Sequence, residues 1–82
     1  MPKRDDIPPK PELELGRYRH YKGGEYEALM LVCHEATHEW MVIYRAQYET
    51  GDMPSTWARG YEDFTSVVER DGAAVSRFEK IY

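Results

Sequence analysis

The fold is decided by the stretch Gly16-Arg17-Tyr18-Arg19-His20-Tyr21-Lys22-Gly23-Gly24-Glu25-Tyr26-Glu27. Aromatic and cationic residues alternate up to Lys22, two adjacent glycines follow, and the alternation then resumes. Alternation with period two is typical of a β-strand, and glycine can take the positive φ of a tight turn. The stretch therefore predicts a β-hairpin.

Further runs of aromatic and β-branched residues predict short strands through the rest of the chain. The predicted strands cover residues 16–21, 25–33, 40–48 and 56–59, then a strand beginning at 67 and a return strand over 75–82. Residues 61–64 are typical of one helical turn, and Asp71-Gly72 of a hairpin turn. Five or six short strands at this spacing favour a small β sandwich or barrel, so we predict a mainly all-β fold with one short helical turn.

Composition limits the classes of function. The chain has 82 residues and a formal charge of −4, which argues against wholesale nucleic-acid binding because that usually needs a basic patch or stripe. The single cysteine, Cys33, cannot form an intramolecular disulfide, which favours a reducing compartment. No apolar run approaches the roughly 18 residues of a membrane span, and the first residues lack the apolar core of a signal peptide. We therefore expect a cytoplasmic protein with no membrane partner.

The beginning of the chain differs in composition from the rest. Residues 1–14 hold four of the five prolines and seven charged residues. Such a segment can neither pair in a sheet nor bury much apolar surface. We predict a disordered proline-rich arm over 1–14 and a single domain over 15–82. Pro8-Pro9-Lys10-Pro11 contains a PxxP pattern, which aromatic grooves can bind, although a solvated tail is the simpler interpretation.

The second predicted strand is apolar on both faces in its second half, where Leu29, Leu31 and Cys33 alternate with Met30 and Val32. Burial on both faces is expected for a strongly bent strand in a small barrel, or for one covered by a partner chain, so a homodimer is compatible with the pattern. The predicted core comprises Tyr18, Tyr26, Ala28, Met30, Val32, Trp40, Val42, Tyr44, Phe64, Val67, Phe78 and Ile81.

The sequence His34-Glu35-Ala36-Thr37-His38 matches the H-E-x-x-H pattern of zinc hydrolases. On a helix the two histidines would share one face and bind zinc, while the glutamate activated water. A helix here would include residues 28–33, which are apolar all round and would need burial on every side. We therefore interpret the match as a strand connection and predict no metal and no cofactor, with a metal-dependent hydrolase as the alternative.

Four blocks of this sequence together resemble the bacterial family called domain of unknown function 1653. They are Gly16 to Gly23 with Tyr26-Glu27, then Val42 to Tyr48, then Trp57-Ala58-Arg59 with Phe64, and finally Arg77 to Ile81. The resemblance covers about residues 15–82 and implies a small SH3-like β roll without an established activity. It also implies that the H-E-x-x-H match lies in a strand connection. One departure is Gly60, where members typically carry proline, which implies a looser turn before Tyr61.

Arginines and aromatic residues supply the candidate binding site. The first strand places Arg17, Arg19 and Tyr21 on one face, and the fourth does so for Trp57 and Arg59. Stacking surfaces beside guanidinium groups suit a carboxylate, a phosphate or a flat base. In the alternative, the aromatic residues fill the core and the arginines pair with glutamates across strands. The candidate ligand-binding residues are Arg17, Arg19, Tyr21, Tyr44, Arg45, Trp57 and Arg59.

The leading functional hypothesis is therefore a binding or adaptor module for a peptide, a nucleotide or a small anionic ligand. The enzyme class lacks support, because no Ser-His-Asp order, phosphate-cradling loop or CxxC pair is present. A single-stranded nucleic-acid binder that stacks bases on its aromatic residues is a further alternative, against which the acidic charge argues.

Overall fold

Residues 6–82 are described by a computed structural model of the protein. This part of the chain forms seven strands and one short helix: β1 (Gly16–His20), β2 (Glu25–Cys33), β3 (Trp40–Ala46), β4 (Thr56–Gly60), α1 (Tyr61–Phe64), β5 (Val67–Arg70), β6 (Ala73–Ser76) and β7 (Phe78–Lys80). Five strands form an antiparallel sheet in the order β4-β3-β2-β1-β7, and β5 pairs with β6 in a separate hairpin. The predicted all-β fold with one short helical turn is confirmed.

The β1–β2 hairpin forms as the alternating pattern predicts. Gly23 turns the chain at φ 109°, a conformation that glycine adopts without steric cost. The turn is closed by hydrogen bonds of 2.7 Å from the Gly23 amide to the His20 carbonyl and from the His20 amide to the Gly24 carbonyl. The resulting register places Tyr18 opposite Tyr26, so both rings lie on the same face of the sheet.

The end of the chain forms two strands where the sequence predicts one. β6 pairs with β5, whereas β7 leaves that hairpin and pairs with β1 at the edge of the five-stranded sheet. Arg77 lies between them and joins the two sheets through its backbone. Its amide donates to the Ser66 carbonyl and its carbonyl accepts from the Tyr21 amide, both at 2.9 Å. The transfer from one sheet to the other therefore takes place at a single residue.

An aromatic cluster forms the core on one side of the five-stranded sheet, which we call the inner face. α1 presents Phe64 to this face, where its ring stacks on Phe78 with centroids 4.2 Å apart and planes 8° from parallel. Tyr18 and Tyr44 pack against Phe64 at 5.2 and 5.5 Å. The buried apolar residues are Tyr18, Ala28, Val42, Tyr44, Ala46, Phe64 and Phe78.

The predicted core is wrong at two residues, since Met30 is 49% exposed and Val67 is 64% exposed. A β-bulge between Ala28 and Met30 inserts one residue into β2 and reverses which side chains face the core. Leu31, which the predicted core did not include, consequently packs against the core cluster. Val67 is exposed because β5 lies in the separate hairpin and is not a strand of the five-stranded sheet. Of the other predicted core residues, Tyr26, Val32, Trp40 and Ile81 are half-buried.

Gly60, which stands where family members typically carry proline, has the backbone conformation that a proline would have. Gly60 has φ −55° and ψ 142°, and proline fixes φ near this value. Its missing side chain leaves space that the carboxylate of Glu39 occupies, because a Cβ built there would lie 2.3 Å from Glu39 Oε2. The backbone path into α1 is therefore compatible with proline once the Glu39 carboxylate moves aside, and the looser turn that the resemblance implied is not required.

The bulge predicts opposite sensitivities for two neighbouring residues. Leu31→Ala should lower the free energy of unfolding by about 2 kcal/mol, because it removes side-chain volume packed against the core. Met30→Ala should change it by less than about 0.5 kcal/mol, because that side chain is half exposed. Urea denaturation of both variants measures the difference, and an equal or reversed order would contradict the register described above.

Candidate functional site

The sheet separates the predicted site residues onto two faces. Opposite residues of paired strands share a face, so the register of β3 with β4 places Trp57 beside Tyr44 on the inner face. Arg59 lies opposite the buried Val42 and joins them there. The remaining arginines of the predicted site, Arg17, Arg19 and Arg45, are on the opposite or outer face.

The outer-face arginines pair with glutamates of the neighbouring strand. Arg17 and Arg19 reach opposite oxygens of the Glu25 carboxylate at 3.5 and 3.3 Å, and Arg45 reaches Glu27 at 3.7 Å. These side chains are partly solvent-accessible, and ion pairs at a surface each contribute at most about 1 kcal/mol. This is the cross-strand pairing that the sequence offered as an alternative to a binding site.

Tyr21 lies apart from both groups, directly after β1. Two cations lie over its ring: the guanidinium of Arg70 is 6.0 Å from the ring centroid and the ammonium of Lys22 is 5.8 Å from it. Arg70 also donates a hydrogen bond to the Tyr21 carbonyl. Tyr21 therefore belongs to a surface beside the β5–β6 hairpin and not to the site formed by Trp57.

A cleft of about 500 Å³ opens on the inner face between β3, β4 and the loop that joins them. We call it the aromatic cleft, and its defining residues are Tyr26, Tyr44, Tyr48, Met53, Trp57 and Arg59. Trp57 is 40% exposed and Tyr48 is 50% exposed, although both border the buried cluster. The sequence analysis placed Tyr26 in the core. Of the candidate residues named from the sequence, Tyr44, Trp57 and Arg59 line this cleft, whereas Tyr48 and Met53 were not among them.

Three tyrosines form one wall of the aromatic cleft. Tyr26 meets the edges of Tyr44 and Tyr48 with centroids 5.2 and 5.5 Å apart, and its hydroxyl is hydrogen-bonded to that of Tyr48. Gly24 makes this approach feasible, since a Cβ there would lie 3.1 Å from Tyr48 and 3.3 Å from Tyr26. Burial, followed by the hydrogen bond to Tyr48, raises the pKa of Tyr26 to about 12.

Arg59 is held in a fixed position at the base of the aromatic cleft. Its Nε donates to the Tyr44 hydroxyl at 3.4 Å, its Nη1 donates to Asp63 Oδ2 at 2.8 Å, and its Cζ lies 5.6 Å from the centre of the Phe78 ring. Burial acts to lower the pKa of Arg59, but the hydrogen bonds and charges of Tyr44 and Asp63 outweigh it and raise the pKa. Within residues 6–82 no hydrogen-bond partner occupies Nη2, which can donate to a ligand.

The H-E-x-x-H match lies in the connection between β2 and β3, as predicted. The His34 amide donates to the Glu39 carbonyl at 2.8 Å, and the His38 amide donates to the His34 carbonyl at 2.7 Å. His38 has φ 61° and is 5% exposed, whereas His34 is exposed. The two histidines do not share a helix face, which is the geometry that the hydrolase alternative needs. In the described part of the chain, no group of three or more His, Cys, Asp or Glu residues is arranged to hold a metal ion.

The fold and the cleft define a small antiparallel β domain with an accessible aromatic site. A family model described as protein of unknown function, DUF1653, matches residues 16–80. The crystal structure of a DUF1653 protein from Bordetella bronchiseptica is similar to this one, with a TM-score of 0.78 and 30% sequence identity. The match covers 85% of this chain and 88% of that chain. The chain therefore belongs to the DUF1653 family.

The search of curated proteins gave no match. Over residues 6–82, the structure contains no helix with the length and apolar character of a membrane span.

The raised pKa of Tyr26 predicts how stability depends on alkaline pH. A tyrosine whose folded pKa lies above its ordinary value of 10.0 keeps its full contribution below pH 10 and loses it as the pH rises towards 12. Tyr48→Phe should lower the pKa of Tyr26, because it removes the hydroxyl of Tyr48, whose hydrogen bond and charge both raise this pKa, while burial remains. The ¹³Cζ chemical shift of Tyr26, assigned with Tyr26→Phe, reports this pKa. A midpoint near pH 10 in the wild-type protein would contradict the described pair.

Proposed function

We propose that this protein is a cytoplasmic binding module of SH3-like architecture whose ligand enters the aromatic cleft. The observation that carries the proposal is the exposure of Trp57, which is 40% accessible although it lies opposite the buried Tyr44 on the core side of the sheet. An exposed tryptophan beside other aromatic rings and a fixed cation is typical of recognition surfaces.

The chemistry of the cleft favours a small ligand that combines a flat ring with an anionic group. Trp57 and Tyr48 offer ring faces, and stacking of one base on an aromatic side chain is worth about 1 to 3 kcal/mol. Arg59 offers Nη2 from a guanidinium that Tyr44 and Asp63 already hold in place. A nucleotide has both required groups, and so does a short peptide whose aromatic residue neighbours a carboxylate.

The other hypotheses receive less support. Binding of single-stranded nucleic acid needs a continuous basic track beside the stacking residues, but the outer-face arginines are paired with glutamates and Arg59 is the one arginine among the residues of the aromatic cleft. A hydrolase centred on His34, Glu35 and His38 needs a helix, whereas these residues form a turn between strands.

The proposal predicts that the cleft and not the rest of the surface responds to a ligand. Adenosine monophosphate, benzoate and inorganic phosphate should be titrated into ¹⁵N-labelled protein while the two tryptophan indole signals are followed. Adenosine monophosphate and benzoate should shift the indole signal of Trp57 in a saturable manner. The signal of Trp40 should not shift, because Trp40 lies outside the cleft. Phosphate alone should bind more weakly, because it cannot stack.

Two variants test the roles of the side chains against a matched control. Arg59→Gln should weaken binding about tenfold or more, since a hydrogen bond to a charged group contributes about 1.5 to 3 kcal/mol. Trp57→Leu should remove the stacking contribution. Arg45→Gln changes an arginine on the outer face and should leave the affinity unchanged. An unmoved Trp57 signal with all three probes, or an equal loss in Arg45→Gln, would sink the proposal.

A further inference from the structure

Residues 8–14 run across the protein surface at the end of the inner face away from the aromatic cleft, and three aromatic side chains hydrogen-bond to them. The indole Nε1 of Trp40 donates to the Pro8 carbonyl at 2.9 Å, the Tyr61 hydroxyl donates to the Glu12 carbonyl at 3.0 Å, and the Tyr18 hydroxyl donates to the Glu14 carbonyl at 2.6 Å. The donors come from β3, α1 and β1, so the folded domain presents them together. We call this surface the arm groove and define it by Tyr18, Trp40 and Tyr61.

These hydrogen bonds are made to the backbone of the arm and not to its side chains. Every acceptor is a main-chain carbonyl, and a carbonyl is present in any peptide that follows the same path. The prolines of the segment have no N–H, so their backbone can only accept hydrogen bonds. Aromatic donors facing the carbonyls of a proline-rich strand are the means by which aromatic grooves hold extended proline-rich peptides.

The arm does not fill the groove. A cavity of about 370 Å³ remains between its prolines and the rings of Trp40 and Tyr61. The rim of this cavity carries two exposed carboxylates, Glu39 and Glu62, and the chain as a whole is acidic. An acidic rim favours a peptide with a cationic residue beside its prolines, and the arm itself has this composition in Pro9-Lys10-Pro11.

We propose that the arm groove is a recognition site for an extended, proline-rich peptide of a partner protein that carries a lysine or arginine next to its prolines. In the isolated chain the arm occupies this site. Because the arm is tethered, it competes at an effective concentration that can reach millimolar, so a partner must fit better than the arm to displace it. The unfilled cavity is where a better fit is available. This site is separate from the aromatic cleft and does not depend on the function proposed for it.

The test uses the 82-residue chain and a synthetic peptide that copies residues 6–15. Leu13 anchors the arm by packing against the core cluster, so Leu13→Asp should release the arm while leaving the three donors in place. Fluorescence anisotropy should show that the Leu13→Asp chain binds the labelled peptide at least tenfold more tightly than the wild-type chain, because the tethered competitor is gone. A peptide with alanine in place of Pro8, Pro9 and Pro11 should bind more weakly than the native peptide.

Matched variants identify the donors. In the Leu13→Asp background, Trp40→Phe and Tyr61→Phe each keep an aromatic ring and remove one donor, and each should weaken binding about fivefold, as expected for one hydrogen bond. The Trp40 indole signal should move during the titration and the Trp57 signal should not, which separates this site from the aromatic cleft. Trp57→Leu serves as the control and should leave peptide binding unchanged.

Three results would overturn the proposal. The first is a folded Leu13→Asp chain that does not bind the peptide. The second is an unmoved Trp40 signal when the wild-type chain is titrated with the peptide to millimolar concentration. This titration is used if the Leu13→Asp chain does not fold. The third is a concentration-dependent dimer of the wild-type chain that Trp40→Phe abolishes, because it would assign the groove to exchange of arms between two copies.

Discussion

The stacked pair of Phe64 and Phe78 is the contact on which the rest of the structure depends. The two residues belong to α1 and β7, which are not sequence neighbours, and their rings meet at 4.2 Å on the inner face. Tyr18 and Tyr44 then pack around the pair from β1 and β3. Since a chain of 82 residues buries a comparatively small fraction of its surface, a few large rings must supply much of the core. The same rings also determine where the open surfaces of the domain lie.

The aromatic cleft is a continuation of this cluster towards solvent. Arg59 lies over the ring of Phe78 and donates to Tyr44, so its guanidinium is positioned by residues that also form the core. Tyr26 contacts Tyr44 and Phe78 of the buried cluster and also contacts Tyr48, which is exposed to solvent. The wall of the cleft is therefore rigid where it meets the core, and exposure increases towards Tyr48 and Met53. Preorganisation of this kind reduces the entropy that a ligand must overcome on binding.

Much of the fold follows from local sequence patterns, and the errors have specific physical causes. The alternation around Gly23 and the β-branched run of β3 predicted the hairpin and the central strands, because these signals depend only on neighbours in the sequence. The bulge after Ala28 depends on how β2 and β3 fit together, so the pattern placed Met30 in the core instead of Leu31. The division of the last predicted strand at Arg77 depends on hydrogen bonds to Ser66 and Tyr21, which are distant in the sequence. The separation of the candidate arginines onto two faces likewise follows from the register between strands, which depends on how the strands pair and not on the alternation within each strand.

The two tryptophans lie at opposite ends of the inner face and have different surroundings for a common reason. The sheet is longer than the aromatic cluster that covers it, so the inner face extends beyond the core at both ends of β3. At one end Trp40 donates to the Pro8 carbonyl, and the arm lies over that surface. At the other end the β3–β4 loop borders the cleft without closing it, and Trp57 stays 40% exposed. A small domain with one large sheet leaves apolar surface at its margins, and here that surface carries aromatic donors and an ordered arginine, which are groups suited to recognising another molecule.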